Sequence, residues 1–569
     1  MTQPPVDSTD AESADEGRIL SSSAVMAAGT VVSRLSGFVR SALLVAALGN
    51  VLHADLFNIG NTVPNMLYIL VAGGIFNAVL VPQLVRSMRN DPDGGEAYTN
   101  RVVTAAVLFL ALVTVVLVLA APWVMSLYLD PRFDDPALAA HRESVIDFAR
   151  YCLPQVFFYG MFVLVGQILN SRGRFGPMMW APIANNVIAV AVLVIYLVAF
   201  GPASEAEQTG PFTSGQEAVL GLGSTLGIAV QLLILLPFLR SAGFTFRPRF
   251  DLRDTGLGHT LRLGVWTVLF VVVNQIAYTV VVRLASGGTA AAVDGGTGTG
   301  YTVYAQSFLI VMVPHSVITV SLATAILPRL SDRANEGDHA GLARTLGMSL
   351  RSALSVVLPF ALLLPVIAPD VAHVVWGWGA GRNDFGLFAP TLSLFGIGLV
   401  FFTVHFLTLR GFYALERTRT VFWIQCVIAA TNVAAAIILV SLATAEDTSP
   451  ALVLAYTASY VVGSTLSYLV LRHLLGGLET RRLARFVVRL VLAAAVSTAV
   501  AYGAKLGLDQ LGTDQPATGS GLAIAAVRAA VITGVDIAAF LAAARLLHLR
   551  EVTDVVATIT RRLGSRTGA

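Results

Sequence analysis

Fourteen apolar segments, each of about 20 residues or more, recur along this 569-residue chain. A segment of that length is long enough to cross a bilayer as a helix. The approximate spans are 22–48, 56–84, 102–128, 145–170, 176–200, 217–239, 260–284, 301–328, 345–368, 387–412, 420–443, 450–472, 484–507 and 521–547. A chain only 12% charged, with mean hydropathy +0.74, belongs to the polytopic membrane class. The expected fold is all-α with 14 transmembrane helices. The net charge of +3 is too small to point to nucleic acid, and the two cysteines, Cys152 and Cys426, fall inside spans, so neither a disulfide framework nor a metal cluster is expected.

Arginine placement orients the chain. Loops after even-numbered spans carry Arg86 and Arg89, then Arg172 and Arg174, then Arg240, Arg247, Arg249 and Arg253. The series continues with Arg329 and Arg333, Arg417 and Arg419, Arg481, Arg482 and Arg485, and Arg561, Arg562 and Arg566. The alternate loops lean acidic, as at Asp134 and Asp135, Glu205 and Glu207, and Glu446 and Asp447. Basic loops remain in the cytoplasm, so both termini are expected there, in a multi-pass protein of a bacterial plasma membrane. The first residues are polar and acidic and lack the basic start of a secretory signal, and they read as a tail.

The two halves echo each other. "AVLVPQL" and "TAILPRL" place Pro82 and Pro328 246 residues apart, and "ANNVIAVAVLV" and "ATNVAAAIILV" place Asn186 and Asn432 at the same offset. Six spans fit within it. The expected organisation is a disordered tail (1–20), an N-lobe (21–240), a linker (241–255), a C-lobe (256–475), an added helix pair (476–548) and a C-terminal tail (549–569). Paired lobes are a common transporter design, with the site at their interface near mid-membrane.

No catalytic constellation stands out, and the chain is not expected to be an enzyme. The glycine-rich Asp294–Gly300 loop lacks the lysine and helix of a phosphate cradle and reads as a linker. His315 and His405 read as packed histidines. The first span differs, because it carries Arg34 and Arg40. Each central arginine costs about 2.5–3.5 kcal/mol on insertion scales, so both should face protein or water. Six residues apart, they are separated by about 240° on a regular helix, and Gly37 between them is expected to let the helix bend so that they converge. A guanidinium grips phosphate oxygens with a rigid fork, so the pair is a candidate anion site.

The second span adds Asp55 at its outer end and the amides Asn58, Asn61, Asn65 and Asn77, with Pro64 and Gly73–Gly74 loosening the helix. Asn274 and Gln275 in span 7, and Gln306, Ser307 and His315 in span 8, occupy the repeat-related positions and should form the opposite wall. Arg528 and Asp536, eight residues apart in span 14, are expected to satisfy each other or neighbouring charges. Asp147 and Arg150 are expected to pair.

The run "SRLSGFVRSALLVAALG…ADLFNIGNTVPNMLYILVAGGIFNAVLVPQL" resembles the MurJ/MviN family of lipid II flippases, within the multidrug/oligosaccharidyl-lipid/polysaccharide exporter superfamily, and is nearest to actinobacterial members. "LPQVFFYGMFVLVGQILNSRGRFGPMMWAPIANNV" and "ATAILPRLSD" extend the match over roughly residues 20–548. The resemblance implies that lipid II, the undecaprenyl-pyrophosphate-linked disaccharide-pentapeptide, is moved from inner to outer leaflet for peptidoglycan synthesis. It assigns headgroup binding to Arg34, Arg40 and Asp55, and a prenyl-tail groove to the last two spans. Other expected partners are membrane lipids and proteins of cell-wall synthesis or division.

The chain departs from the family pattern at Ser41, Tyr68, Ile69 and Gly73, where relatives often carry charge, and near Gln306, where a further arginine is usual. Spans 7 and 11 offer only Asn274, Gln275, Gln425 and Asn432 for a sodium ion. No cofactor is expected; a Na or H gradient or the membrane potential would drive transport. Two alternatives stay open: export of another polyprenyl-linked glycan, or a non-transporting scaffold for cell-wall assembly.

Overall fold

The computed structural model describes residues 29, 32–70, 87, 93, 95–174, 176–251, 257–291, 297–511 and 519–552, without the side chains of 257–264, 519 and 520. The N-terminal tail, 553–569 of the C-terminal tail, Gly73, Gly74, Asn77, Pro82, the Arg86/Arg89 loop, Arg253 and Asp294 lie outside the described residues.

Helices make up the architecture, and no strand occurs among the described residues. In chain order α1 covers 32–48, α2 Leu52–Ile69, α3 Glu96–Leu119, α4 Pro136–Ser171, α5 Gly176–Phe200 and α6 Ser214–Ser241. Then follow α7 (Leu257–Ala290), α8 (Tyr301–Asn335), α9 (His339–Trp376) and α10 (Phe388–Ala414). The series ends with α11 (Thr418–Leu442), α12 (Thr448–Leu474), α13 (Thr480–Gln510) and α14 (Gly519–Leu546). The last twelve, α3 to α14, are each long and apolar enough to cross a membrane, and they coincide with predicted spans 3 to 14. α1 and α2 fall on the first two predicted spans and adjoin undescribed segments.

Several helices outrun the apolar runs that predicted them. α9 begins before residue 345 because Asp338 caps it, accepting from the Gly341 N–H at 2.8 Å, so polar turns extend the helix beyond its hydrophobic stretch. α8 is continuous through Pro314, where the chain adopts a π-turn over His315–Thr319 that absorbs the missing N–H.

Neighbours repeat with a step of six helices. α2 packs on α4, α3 on α4, and α6 on both α4 and α5; correspondingly α8 packs on α10, α9 on α10, and α12 on both α10 and α11. The repeat read from Asn186 and Asn432 thus has a physical counterpart in packing. α13 and α14 pack on each other and on α9.

The apolar cores show how the two groups meet. One cluster joins both: Leu44–Leu48 of α1 and Leu56 and Ile59 of α2 lie with Val281–Ala285 of α7, Tyr301–Val311 of α8 and Trp376 at the end of α9. At the opposite end the cores separate. Met161–Leu169, Leu235 and Phe244 form a cluster within the first group, and Ile326–Ala353, Leu407–Ile428 and Leu471 another within the second. The groups are therefore fused at one end and apart at the other, the end that carries Arg172, Arg240 and Arg329.

Trp376 seals the fused end. It is fully buried, stacks on Phe388 at 3.8 Å between centroids, and directs its indole N–H to Ser41 Oγ at 3.4 Å. Trp376→Ala should destabilise the protein by about 3–5 kcal/mol, the range for a large aromatic cavity. A lowered thermal midpoint in detergent is the check.

Candidate functional site

α1 stops where its glycine demands. Gly49 has φ +79°, and a Cβ there would lie 2.5 Å from Gln208 Oε1, so both backbone and space require glycine. Five residues before this stop begins the buried stretch that joins the common core, which fixes the depth and rotation of the helix. Its remaining face carries Ser33, Arg34, Gly37, Arg40, Ser41 and Leu44 into a cavity of about 330 Å³ between the two groups.

Both predicted arginines thus reach one cavity, but not by a bend. α1 runs unbroken through Gly37. A rotation of about 240° is also one of about 120° the other way, so Arg34 and Arg40 flank one broad face with Gly37 and Leu44 at its centre. Arg34 is exposed and Arg40 half-buried, and no carboxylate pairs with either among the described residues. Two cations without counter-charge among the described residues give this wall of the cleft a positive potential.

Asn58 and Gln306 line the same cavity and close its floor. Asn58 Nδ2 donates to Thr302 Oγ1 at 2.9 Å, tying α2 to α8, and Ser41 Oγ donates to Gln306 Oε1 at 2.5 Å, tying α1 to α8. Asn186, read from sequence only as a repeat marker, also lines the cavity. Its Nδ2 donates to Ser33 O at 3.0 Å and Ser36 Oγ at 2.9 Å, fixing α1 against α5. Its place in a repeated motif was the signal for a structural role, but not for the cavity.

Asp55 lies elsewhere. It is fully buried and accepts from the Tyr301 N–H at 2.9 Å, the Thr302 N–H at 2.6 Å and Thr289 Oγ1 at 2.8 Å. The carboxylate caps the start of α8, where orphan N–H groups and the helix dipole favour a negative charge. A Cβ on Gly300 would come within 1.9 Å of Asp55 Oδ2, so the preceding glycine admits this contact. Asp55 is a clamp between the two groups in this structure, with no oxygen turned to the arginine cavity.

The other amides divide by neighbour. Asn61 Oδ1 accepts from Gln155 Nε2 at 2.9 Å, which joins α2 to α4 inside the first group. Asn65 and Asn274 line a second cavity of about 350 Å³, on the far side of α8, with Gln275, Tyr304, Gln425 and Tyr456. There Gln425 Nε2 donates to Asn274 Oδ1 at 3.2 Å and Gln275 Nε2 donates to Met66 O. The eight sequence candidates are therefore split between a cationic cavity (Arg34, Arg40, Asn58, Gln306), a neutral cavity (Asn65, Asn274), a helix junction (Asn61) and a clamp (Asp55).

Other expectations also meet the structure. His315 Nδ1 lies 3.2 Å from Thr403 Oγ1, and His405 Nδ1 lies 2.8 Å from Ser467 Oγ, both as packed histidines. Arg150 pairs with Asp147 at 2.8 Å. Arg528 pairs with Asp370 at 3.1 Å and Asp509 at 2.6 Å rather than with Asp536. Eight residues put Asp536 about 12 Å along the helix, whereas α9 and α13 bring carboxylates alongside.

Comparison with known proteins places this arrangement. The family model described as "Lipid II flippase MurJ" matches residues 44–514. Among curated relatives, "Probable lipid II flippase MurJ" of Vibrio cholerae serotype O1 is 27% identical over 541 residues, covering 94% of this chain and 97% of that protein. Its namesake in Rhizobium tropici is 28% identical over 414 residues, 72% of this chain and 73% of that one. The fold resembles a solved "Lipid II flippase MurJ, inward closed conformation", with TM-score 0.68 and 15% identity over 92% of this chain and 99% of the other. It also resembles an inward-facing multidrug resistance MATE family transporter, with TM-score 0.59 and 16% identity over 78% and 95%.

Removing the clamp should weaken the junction. Asp55→Ala leaves two backbone N–H groups and one hydroxyl without their acceptor, each unsatisfied group costing about 1–3 kcal/mol. Asp55→Ala should therefore lower the thermal midpoint more than Asn61→Ala, which frees one amide; equal melting of the two variants would contradict the assignment. A cationic cleft between two repeated helix groups, and a match over most of its length, come together here: the chain belongs to the MurJ family of lipid II flippases.

Proposed function

We propose that this protein moves lipid II from the inner to the outer leaflet of the bacterial plasma membrane by alternating access, with Arg34 and Arg40 neutralising the pyrophosphate. The observation that supports this most is the pair of uncountered guanidinium groups on one wall of the cavity between the helix groups. The relatives named above are lipid II flippases, and the cargo is carried over from them. Movement between leaflets breaks no bond, so the protein needs to supply binding and a route only.

The arginine-bearing ends of α4, α6 and α8 flank the open side of the cavity, which by the positive-inside rule faces the cytoplasm. Both termini then lie on that side. In this reading 21–240 and 256–475 are the two lobes that rock, and α13–α14 stand beside them along the lipid. Rocking must part the fused end, where Asp55, Asn58 and the Asn50 Nδ2–Asp384 O bond of 2.9 Å cross between lobes. An anion moving outward gains about 2.3 kcal/mol per charge per 100 mV of inside-negative potential, which supplies a direction without a bound ion.

The cationic wall is sparse. Tyr68 lies against Tyr159 at 4.6 Å between centroids instead of presenting charge, and Gln306 faces the arginines as a neutral amide. Arg34 and Arg40 therefore carry the headgroup between them. Arg34→Ala and Arg40→Ala should each abolish rescue of a flippase-depleted strain while leaving membrane levels unchanged. Normal rescue by the double variant would sink the proposal and favour a scaffold for cell-wall assembly. Headgroup competition in proteoliposomes separates lipid II from another polyprenyl-linked glycan.

A further inference from the structure

A second cationic recess lies far from the central cavity, where α9, α13 and the segment after α14 meet. It encloses about 260 Å³ and is lined by Arg351, Arg482, Arg485, Arg489, His548 and Glu551. Four arginines face it against two carboxylates, Glu551 within the recess and Glu479 at the start of α13. Arg482 stands 3.7 Å from Glu479, and Arg489 has no acidic partner among the described residues.

Arg351 is the unusual member. It is 2% exposed, deep on α9. Its Nε lies 2.8 Å from Glu551 Oε1 and its Nη1 3.7 Å from Glu479 Oε2, yet neither N–H is aligned with an acceptor. A buried guanidinium with donors left unused is costly unless something else takes them. An anion seated in the recess would do so.

The sequence of α13 says what kind of anion. Arg482, Arg485 and Arg489 are spaced by three and four residues and lie on one helix face. The same spacing continues through Leu492, Val496 and Val500, which are 53%, 55% and 48% exposed. One stripe thus passes from three cations at the polar end of the helix to three exposed aliphatic side chains within the apolar part. The stripe from Arg489 to Val500 runs about 16 Å. A soluble phosphate would use only its upper half, and a soluble protein could not follow it into the bilayer. A lipid with an anionic headgroup uses all of it, its phosphate among the arginines and its chain along the aliphatic face.

We infer that the recess formed by α9, the first turns of α13 and the 547–552 segment is a binding site for an anionic membrane phospholipid. This inference requires only that the chain spans a bilayer and does not depend on what the central cavity carries. Binding there would cross-link three elements that α13 and α14 otherwise join mainly by apolar packing, and so would set how firmly this pair sits on α9.

The test uses the purified full-length protein in detergent, with lipid retention read by native mass spectrometry and the thermal midpoint read alongside. Phosphatidylglycerol should be retained in preference to phosphatidylcholine and should raise the midpoint. Arg485→Gln with Arg489→Gln should weaken retention about 30-fold, as expected for two arginines at a membrane surface. Leu492→Asn with Val496→Asn, at exposed positions that do not threaten folding, should also weaken it, whereas Arg34→Ala with Arg40→Ala should not. Sodium pyrophosphate, which offers phosphate without a chain, should leave the midpoint unmoved. The inference is overturned if the two lipids are retained equally, if the arginine pair and the aliphatic pair can both be replaced without loss, or if pyrophosphate stabilises as well as the phospholipid does.

Discussion

The Asp55 carboxylate ties three helices together across the two helix groups. It sits on α2, in the first helix group, and accepts from α7 and from the first turn of α8, in the second. A charge without water is stable only where several donors converge on it, and the start of a helix provides them. That contact, with the apolar cluster around Trp376, fuses the groups at one end. The gap at the other end follows, since rigid helices joined at one end and packed on separate cores diverge. The arginine cavity exists because of that divergence.

The same contact gives the transport cycle its constraint. In the proposed cycle, opening the fused end must undo a buried, charge-assisted set of hydrogen bonds together with amide contacts from Asn58 and Asn50. Those bonds must be replaced by equivalent ones, by water or by substrate contacts, for the two states to remain close in free energy. The neutral cavity lined by Asn65, Asn274 and five tyrosines adjoins the junction and has polar groups able to take new partners, among them the Tyr456 hydroxyl, which has no hydrogen-bond partner among the described residues.

Charge is used in two different ways along the chain. In α14, Arg528 is neutralised by Asp370 and Asp509, so it fastens the helix to α9 and α13. In α1, Arg34 and Arg40 have no such neighbours among the described residues and face a cleft. An arginine in an apolar span must reach one of these two ends, because hydrocarbon offers nothing to a guanidinium. The recess around Arg351 is intermediate, with carboxylates close by but too few and poorly aligned for the arginines present.

Local chemistry alone determined the helical class, the order of the spans and the duplication, because lipid removes every other way of satisfying a long apolar backbone. It also placed Arg34 and Arg40 in water or protein, since their cost in lipid is a property of the residue. What α1 could not specify was the neighbour on each side. Asp55 and Asn61 are polar residues on one helix, and whether each becomes wall, clamp or joint depends on which helix the fold brings opposite. The Arg528–Asp370 pair spans 158 positions in the chain, and no periodicity within α14 predicts it. Sequence therefore fixed which groups needed a partner, and only the tertiary structure decided which partner each received, because a hydrogen bond is made over 3 Å and a helix spaces its residues without regard to what lies across the interface.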